Sequence, residues 1–303
     1  MQRRRAPRIR SPRTFDAAAT GAAHASVDRL PPRAPVDARP ADARIGVVRA
    51  MTALLASVAS LDEAHAVADC VDVVDLKDPR AGALGALPVA QVAAIVRDLG
   101  GRRVVSAALG EFVDGTAVGE AAEAMAATGV DFVKVGLADA TRCSTVLPSA
   151  AARTPGSRLV AVLFADRAPR FEALDEIARA GFAGAMLDTA DKRGGTLLDC
   201  IAPPRLRAFV DRARALGLFV GLAGSLREGH LPDVLACRPD FVGLRGALCE
   251  DADRTAGISR ERTQAIAKTF AAANADRSAA LQGLTARVPA FSASGSRAEG
   301  LSP

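Results

Sequence analysis

The sequence predicts a (β/α)8 TIM barrel, an α/β fold, as a single domain between disordered N- and C-terminal extensions. Three observations predict it. Eight short, β-branched apolar runs alternate with longer Ala-rich segments of helical periodicity. These units together span about 220 residues, which is within the usual size range of such a barrel. No Gly-x-Gly-x-x-Gly follows the first run, which disfavours the alternative of an open, doubly wound sheet.

The strands are expected where apolar, β-branched residues are bounded by Gly, Pro or Asp. In order, they are residues 52–58 (TALLASV), 71–77 (VDVVDLK), 103–109 (RVVSAAL), 131–137 (DFVKVGL), 158–164 (RLVAVLF), 184–190 (GAMLDTA), 218–224 (LFVGLAG) and 240–246 (DFVGLRG). Helical segments such as VAQVAAIVRDL and PRLRAFVDRARAL follow them. This alternation requires parallel strands joined by crossover helices, so the carboxyl ends of all the strands meet at one mouth.

The two ends of the chain lack this pattern. Residues 1–48 are rich in Arg, Pro and Ala, and 274–303 end in SASGSRAEGLSP. Such compositions bury too little apolar surface to offset the entropy of ordering, so we expect a disordered leader and a flexible tail around a barrel domain at 51–273. The leader is either a transit peptide or a stretch upstream of a start at Met51, directly before the first strand.

The charge distribution argues against a nucleic-acid partner. The chain has a net charge of +5, but residues 1–50 hold eleven Arg against four Asp, which leaves the rest slightly negative. The absence of Trp and Tyr removes the stacking residues typical of single-strand binding. No apolar run reaches the roughly 18 residues needed to span a membrane.

Five widely spaced cysteines without a Cys-x-x-Cys pair, and three histidines, indicate reduced thiols in the cytoplasm and no metal site. Surface helices rich in Ala and Leu indicate a homo-oligomer.

Three strand segments align with one another: DVVDLK, DFVKVG and DFVGLR. Counted from the first Asp of each, Asp75 and Lys134 stand at the fourth position, and Lys77 and Arg245 stand at the sixth. Because side chains alternate faces along a strand, these four share one face. If that face points into the barrel, they converge near its C-terminal mouth, where active sites of this fold lie.

A lysine at that position loses water, and desolvation lowers its pKa toward values suited to a base or an imine-forming nucleophile. Lys77 is the candidate nucleophile and Lys134 a second cation beside it. Asp75 and Asp188 would orient the amine and pass protons. Lys192, in the loop after the sixth strand, is a further candidate. Buried ion pairs, or a solvated loop lysine at Lys192, are the non-catalytic alternatives.

The seventh and eighth strands end in GLAGSL and GLRGAL, two copies of Gly-Leu-x-Gly-x-Leu. Loops after these strands commonly hold phosphate in a barrel, and glycine leaves backbone N–H groups accessible. Gly224, Ser225, Arg245 and Gly246 are therefore the expected phosphate ligands, unless these glycines serve only tight turns. Lysines and carboxylates opposite a phosphate site predict carbonyl chemistry on a phosphorylated sugar or triose.

These motifs also resemble a known family. DLKDPRAGALGA, VSAALGE, DFVKVGL, AMLDTADKRGGTLLD, LAGSL and VGLRGALC, in this order, closely resemble the (5-formylfuran-3-yl)methyl phosphate synthase family, over about Met51 to Lys268. The resemblance implies a class I aldolase-like enzyme without a cofactor. Such an enzyme joins two molecules of glyceraldehyde 3-phosphate into a phosphorylated furan aldehyde for the biosynthesis of methanofuran, a one-carbon carrier.

Carried over by position, the resemblance makes Lys77 the Schiff-base lysine and Lys134 the proton-transferring lysine. Asp75, Asp188 and Lys192 match the supporting polar residues of the pocket.

Three positions depart from the family pattern. Asp78 stands where Asn is common, Ala83 where Ser is common, and Glu111 in place of an Asp. None of these changes removes a proposed catalytic group.

Two alternatives remain open. One is another aldolase-like enzyme or an isomerase acting on a phosphorylated sugar or triose. The other is a non-catalytic protein whose Arg-rich leader recruits nucleic acid or an acidic partner.

Overall fold

Eight parallel strands close into a barrel in which each strand pairs with its neighbours in sequence and the last pairs with the first. The computed structural model describes residues 51–112, 114–137 and 143–285. The strands are β1 (Ala53–Val58), β2 (Val73–Leu76), β3 (Val104–Phe112), β4 (Phe132–Leu137), β5 (Arg158–Phe164), β6 (Gly184–Asp188), β7 (Phe219–Leu222) and β8 (Phe241–Leu244). Each overlaps a predicted run, so the predicted barrel is confirmed and the open-sheet alternative is excluded.

Helices cover the outside of the barrel. They are α1 (Leu61–Ala68), α2 (Val89–Leu99), α3 (Gly115–Ala127), α4 (Cys143–Arg153), α5 (Ala173–Arg179), α6 (Leu197–Cys200), α7 (Pro203–Ala215), α8 (Leu231–Ala236) and α9 (Arg260–Thr285). Short 3-10 turns occupy Ala165–Arg167, Glu228–His230, Gly246–Leu248 and Glu250–Ala252. No helix within the described residues combines the length and apolarity that crossing a bilayer requires.

The core has two layers because strand side chains alternate between the two faces of the sheet. On β1, Leu54 and Ala56 pack outward among the helices, whereas Ala53 and Leu55 point into the barrel. The inner layer is apolar toward the N-terminal end, where the Phe132 and Phe219 rings meet edge to face at 5.9 Å between centroids. The polar inward positions therefore lie toward the C-terminal mouth.

The first Asp of each aligned segment has a structural role at the N-terminal end of the barrel. Asp72 accepts a hydrogen bond from the Leu54 N–H at 2.8 Å. Asp131 accepts one from Val105 N–H at 2.9 Å, and Asp240 one from Val220 N–H at 2.7 Å. In each case a carboxylate just before β2, β4 or β8 accepts a hydrogen bond from a backbone N–H of the preceding strand. The repeat thus joins strand pairs at one end of the barrel.

The last helix closes the N-terminal end. The Asn274 side chain accepts a hydrogen bond from Thr52 N–H at 2.9 Å and donates one to the Thr52 carbonyl at 3.1 Å, as a neighbouring strand would. The helix continues to Thr285, past residue 273, where the sequence analysis places the end of the barrel. The predicted leader at 1–48 and the remainder of the predicted tail, 286–303, lie outside the described residues.

Candidate active site

A cavity of about 250 Å³ opens at the C-terminal mouth of the barrel. It is lined by the predicted site residues Lys77, Lys134, Asp188, Lys192, Gly224, Ser225, Arg245 and Gly246. Asp75, the remaining predicted residue, is fully buried beneath Lys134. The structure therefore brings the predicted residues together at the end of the barrel where the sequence analysis expects them.

Asp75 is the centre of a buried polar network. Its Oδ1 lies 2.5 Å from Lys134 Nζ. Strand register places Ser57 of β1 and Ser106 of β3 directly beside it. The Ser57 hydroxyl donates to Asp75 Oδ2 at 2.9 Å, and the Ser106 hydroxyl donates to Oδ1 at 2.6 Å. Three donors thus converge on one carboxylate inside the barrel.

These donors keep Asp75 ionised. Burial by itself raises the pKa of a carboxyl group, because a low-dielectric interior disfavours charge. Here the nearby Lys134 and Lys77 ammonium groups, together with the hydrogen bonds from Lys134 and Ser106, outweigh burial and hold the pKa of Asp75 below its usual value. The Asp75–Lys134 pair is therefore a carboxylate bound to an amine within hydrogen-bonding distance.

Lys77 forms a weaker ion pair than Lys134, the other buried lysine. Its Nζ lies 4.0 Å from Asp188 Oδ2 and donates to the Ala83 carbonyl at 3.3 Å. Burial lowers the pKa of Lys77 to about 8, and the positive charges of Lys192 and Lys134 act in the same direction against the attraction of Asp188. An amine with this pKa is partly neutral near pH 7, as a nucleophile requires.

Asp188, at the end of β6, links Lys77 to the loop that follows. Its Oδ1 accepts hydrogen bonds from Lys192 Nζ and from Thr189 N–H, the latter at 2.8 Å. Burial raises the pKa of Asp188, but the charges of Lys192 and Lys77 outweigh it, so the pKa lies below the usual value. Two carboxylates, Asp75 and Asp188, therefore flank Lys77, each with its own lysine partner.

The Asp166 side chain fixes the loop that carries Lys192. The Asp166 carboxylate accepts hydrogen bonds from Ala190 N–H and Asp191 N–H, both at 2.8 Å. On the other side, the Ser225 hydroxyl donates to the Lys192 carbonyl at 3.3 Å. The loops after the neighbouring strands β6 and β7 are thereby joined beside the cavity.

The turn after β7 has the backbone shape that the first Gly-Leu-x-Gly-x-Leu motif requires. Gly224 has φ of 122° and Ser225 has φ of 49°, both in the left-handed region. A Cβ on Gly224 would lie 3.0 Å from Thr189 Cγ2 and 3.1 Å from Thr189 N. Glycine is needed at this position both for its φ and for the close approach of the loop after β6.

Arg245 lines the cavity, but its guanidinium N–H groups donate hydrogen bonds to acceptors within the protein. Its two terminal nitrogens donate hydrogen bonds to the Glu63 carboxylate at 2.8 and 3.0 Å. The remaining bonds go to the Arg254, Ser57 and Ala256 carbonyls, at 2.7, 2.9 and 3.3 Å. A guanidinium has five N–H donors, so Arg245 retains none for a phosphate. This differs from the expectation that Arg245 contacts the substrate.

Several residues of this region were not predicted from the sequence. Ser57 and Ser106 each interrupt an apolar strand at an inward-facing position, which is a signal that the strand pattern contained. Arg254 lines the cavity from the loop after β8, where no periodicity marks it.

Within the described residues, no His, Cys, Asp and Glu side chains are grouped as a metal site would need.

Comparison with known proteins identifies the family of this chain. The family model described as 4-HFC-P synthase matches residues 54–267, which is most of the chain and nearly all of the barrel. The chain belongs to this family. It is therefore an enzyme of a synthase family with a small-molecule substrate.

Proteins similar to this chain are named (5-formylfuran-3-yl)methyl phosphate synthase. The protein named (5-formylfuran-3-yl)methyl phosphate synthase from Methanopyrus kandleri is 40% identical over 173 residues, covering 52% of this chain and 72% of the relative. The protein of the same name from Methanocaldococcus jannaschii is 37% identical over 174 residues, covering 52% and 73%. A relative from Methylorubrum extorquens, to which this name is assigned provisionally, is 42% identical over 186 residues, covering 61% and 77%.

Solved structures support the fold alone. The crystal structure of 3-hexulose-6-phosphate synthase aligns with a TM-score of 0.51 at 19% identity, over 71% of this chain and 99% of that one.

The departures from the family pattern do not disturb the lysine cluster. Ala83 meets Lys77 through its backbone carbonyl, so a Ser at this position would make the same contact. Asp78 accepts a hydrogen bond from Arg80 N–H at 2.8 Å and pairs by its backbone with Gly85. Glu111 forms a partly exposed ion pair with Arg167 at 2.8 Å.

Proposed function

We propose that this enzyme condenses two molecules of glyceraldehyde 3-phosphate into (5-formylfuran-3-yl)methyl phosphate, through an imine on Lys77. The observation that carries the proposal is the environment of Lys77, a buried amine with a pKa of about 8 between two carboxylate-bound lysines. The names of the relatives from Methanopyrus kandleri and Methanocaldococcus jannaschii supply the product.

The neutral amine of Lys77 attacks the aldehyde carbon of the first triose phosphate to form a carbinolamine. The Lys134 ammonium donates a proton to its hydroxyl, which leaves as water and produces the protonated imine (iminium). Lys134, now neutral, accepts the proton from the carbon next to the imine and generates an enamine. Asp75 stabilises the charged form of Lys134 before and after this exchange, because its carboxylate lies 2.5 Å away.

The enamine carbon then attacks the aldehyde of the second triose phosphate. Ring closure through oxygen, release from Lys77 and elimination complete the furan. Two triose phosphates minus the furan product leave one phosphate and two molecules of water, so the overall step needs no oxidant, reductant or organic cofactor. Asp188 and Lys192, which are hydrogen-bonded to each other, pass protons during the later dehydration.

The experiment is to incubate the purified protein with glyceraldehyde 3-phosphate and follow near-ultraviolet absorbance and free phosphate together. The proposal expects one phosphate released per furan formed. Lys77→Met serves as the inactive control, and Arg97→Gln, an exposed change on the last turn of α2, serves as the active one. Consumption of substrate with a sugar phosphate as product and no furan would instead support the alternative of an aldolase or isomerase.

The non-catalytic alternative predicts a different result. If the Arg-rich leader carried the function, a chain starting at Met51 would lose it. The proposal expects that shortened chain to form furan at the rate of the full chain, because the cavity residues within the described part of the chain lie beyond residue 51.

A further inference from the structure

The loop after β8 is fixed by Arg245. Arg245 Nε donates to the Arg254 carbonyl at 2.7 Å, and Nη2 donates to the Ala256 carbonyl at 3.3 Å. Earlier in the same loop, Asp251 and Ala252 have φ of 50° and 57°, in the left-handed region that non-glycine residues rarely adopt. The guanidinium at the end of β8 therefore holds a strained loop against the mouth of the barrel.

Arg254 stands in this loop, at the wall of the cavity. It is half-buried and lines the cavity beside Gly246, whose added Cβ would lie 3.7 Å from Arg254 Cβ. Its Nη2 donates to the Gly82 carbonyl at 3.3 Å, which ties the loop after β8 to the loop after β2. Arg254 thus stands next to the second Gly-Leu-x-Gly-x-Leu motif.

The charge of Arg254 lacks a carboxylate partner at ion-pair distance among the residues that the structure describes. Burial lowers the pKa of its guanidinium, and Asp188 opposes this more strongly than Arg245 adds to it. Arg245, by contrast, is neutralised by Glu63 through two hydrogen bonds. Of these two arginines, Arg254 is the one whose charge has no carboxylate at ion-pair distance among the described residues, and the bond to the Gly82 carbonyl uses only one of its five N–H donors.

We infer that Arg254 binds the phosphate group of a phosphorylated substrate beside the Gly-Leu-x-Gly-x-Leu turns, and that Arg245 is the residue that positions it. The planar guanidinium offers two parallel donors to a phosphate monoester dianion, with the backbone at Gly224 and Gly246 nearby. This inference rests on the proposed function only in taking the substrate to carry a phosphate.

Arg80 is a competing candidate because it follows Lys77 closely in sequence. It is exposed, and it does not line the cavity. Its backbone N–H is bound in the turn made by Asp78. Arg80→Gln is therefore expected to leave phosphate binding unchanged, and it separates the two assignments.

The test is calorimetric titration with inorganic phosphate of the full chain and of Arg254→Gln, Arg254→Lys and Arg97→Gln. Loss of charge-assisted hydrogen bonds is expected to weaken phosphate binding by roughly 10- to 100-fold in Arg254→Gln. Arg254→Lys should recover part of the affinity because it keeps the charge, and Arg97→Gln should bind as the unmodified chain does. In turnover assays, KM for glyceraldehyde 3-phosphate should rise in Arg254→Gln by a similar factor.

The positioning role of Arg245 is tested without leaving a buried charge, by changing Arg245→Met and Glu63→Leu together. This pair of changes should weaken phosphate binding when Arg254 is present and should have no further effect in Arg254→Gln. If Arg245 had only a structural role, this pair of changes would weaken phosphate binding equally with Arg254 present and in Arg254→Gln.

Phosphate affinity in Arg254→Gln equal to that of the unmodified chain, or no phosphate binding by the unmodified chain, would overturn the inference. Phosphate binding is measured without turnover, so it stays informative if no furan is formed. In that event a weakened Arg254→Gln would uphold the phosphate site while the proposed reaction fails.

Discussion

Lys134 of β4 reaches past the intervening strand β3 to place its Nζ 2.5 Å from the Asp75 carboxylate of β2, inside the barrel. Inward residues of alternate strands meet in layers in this fold, so the contact follows from strand parity. The Ser57 and Ser106 hydroxyls occupy the remaining positions around Asp75. In the proposed reaction, this pair is the enclosed proton donor and acceptor next to Lys77.

Removing one member of this pair should destabilise the fold more than removing both. Asp75→Asn leaves the buried Lys134 without its counter-charge, and breaking such a pair costs about 3–5 kcal/mol of unfolding free energy. Adding Lys134→Met should restore part of that loss. Urea unfolding of the two single variants and the double variant measures the coupling. Losses that simply add would contradict a direct interaction between the two side chains.

Ser106 is expected to matter for proton transfer and not for imine formation. Ser106→Ala leaves one oxygen of Asp75 with a donor fewer, which should lower stability by about 1–3 kcal/mol. Furan formation should fall, while borohydride trapping of the imine on Lys77 persists. Ser144→Ala, an exposed change on α4, is the matched control. Loss of trapping and turnover in equal measure would place Ser106 outside the proton-transfer step.

The rate of imine formation should depend on pH through Lys77. Burial lowers its pKa to about 8 from 10.5, and only the neutral amine attacks an aldehyde. Trapping should therefore rise about tenfold per pH unit below pH 8 and level off above it. Because the Lys192 charge helps to lower this pKa, Lys192→Met should move the plateau to higher pH. A rise that continues unchanged to about pH 10.5 would contradict a desolvated Lys77.

The carboxylates at the N-terminal end of the barrel should affect stability alone. Asp240 is buried and accepts the Val220 N–H, so Asp240→Ala leaves a backbone donor unsatisfied and should cost about 1–3 kcal/mol. Well below the melting temperature, kcat should stay the same. Thermal denaturation followed by circular dichroism, with turnover measured at a lower temperature, tests both parts. A fall in kcat comparable to that of Lys134→Met would contradict this separation of roles.

Strand order and the lysine cluster were predictable from sequence because both depend on local patterns. The β-branched runs mark the strands, and strand parity places Asp75 and Lys134 on one inner face. The three aligned segments also mark β2, β4 and β8, although their shared first Asp serves stability and not the site.

The partners of Arg245 were not predictable in this way. Its carboxylate partner Glu63 lies 182 residues away in sequence, and only closure of the barrel between β8 and β1 brings them together. Arg254 belongs to a loop whose path depends on two left-handed residues that no composition signals. Sequence reasoning therefore located a positive charge at the end of β8, but it did not reveal that the donors of Arg245 bind acceptors within the protein.

The site of covalent attachment of the substrate shows directly whether Lys77 is the imine-forming lysine. The protein is incubated with glyceraldehyde 3-phosphate, reduced with borohydride and digested, and the modified peptide is identified by mass spectrometry. We expect the reduced adduct on Lys77, with none in Lys77→Arg, which keeps the charge but cannot form the imine. An adduct on Lys134 or Lys192 instead, or full furan production by Lys77→Arg, would contradict imine formation on Lys77.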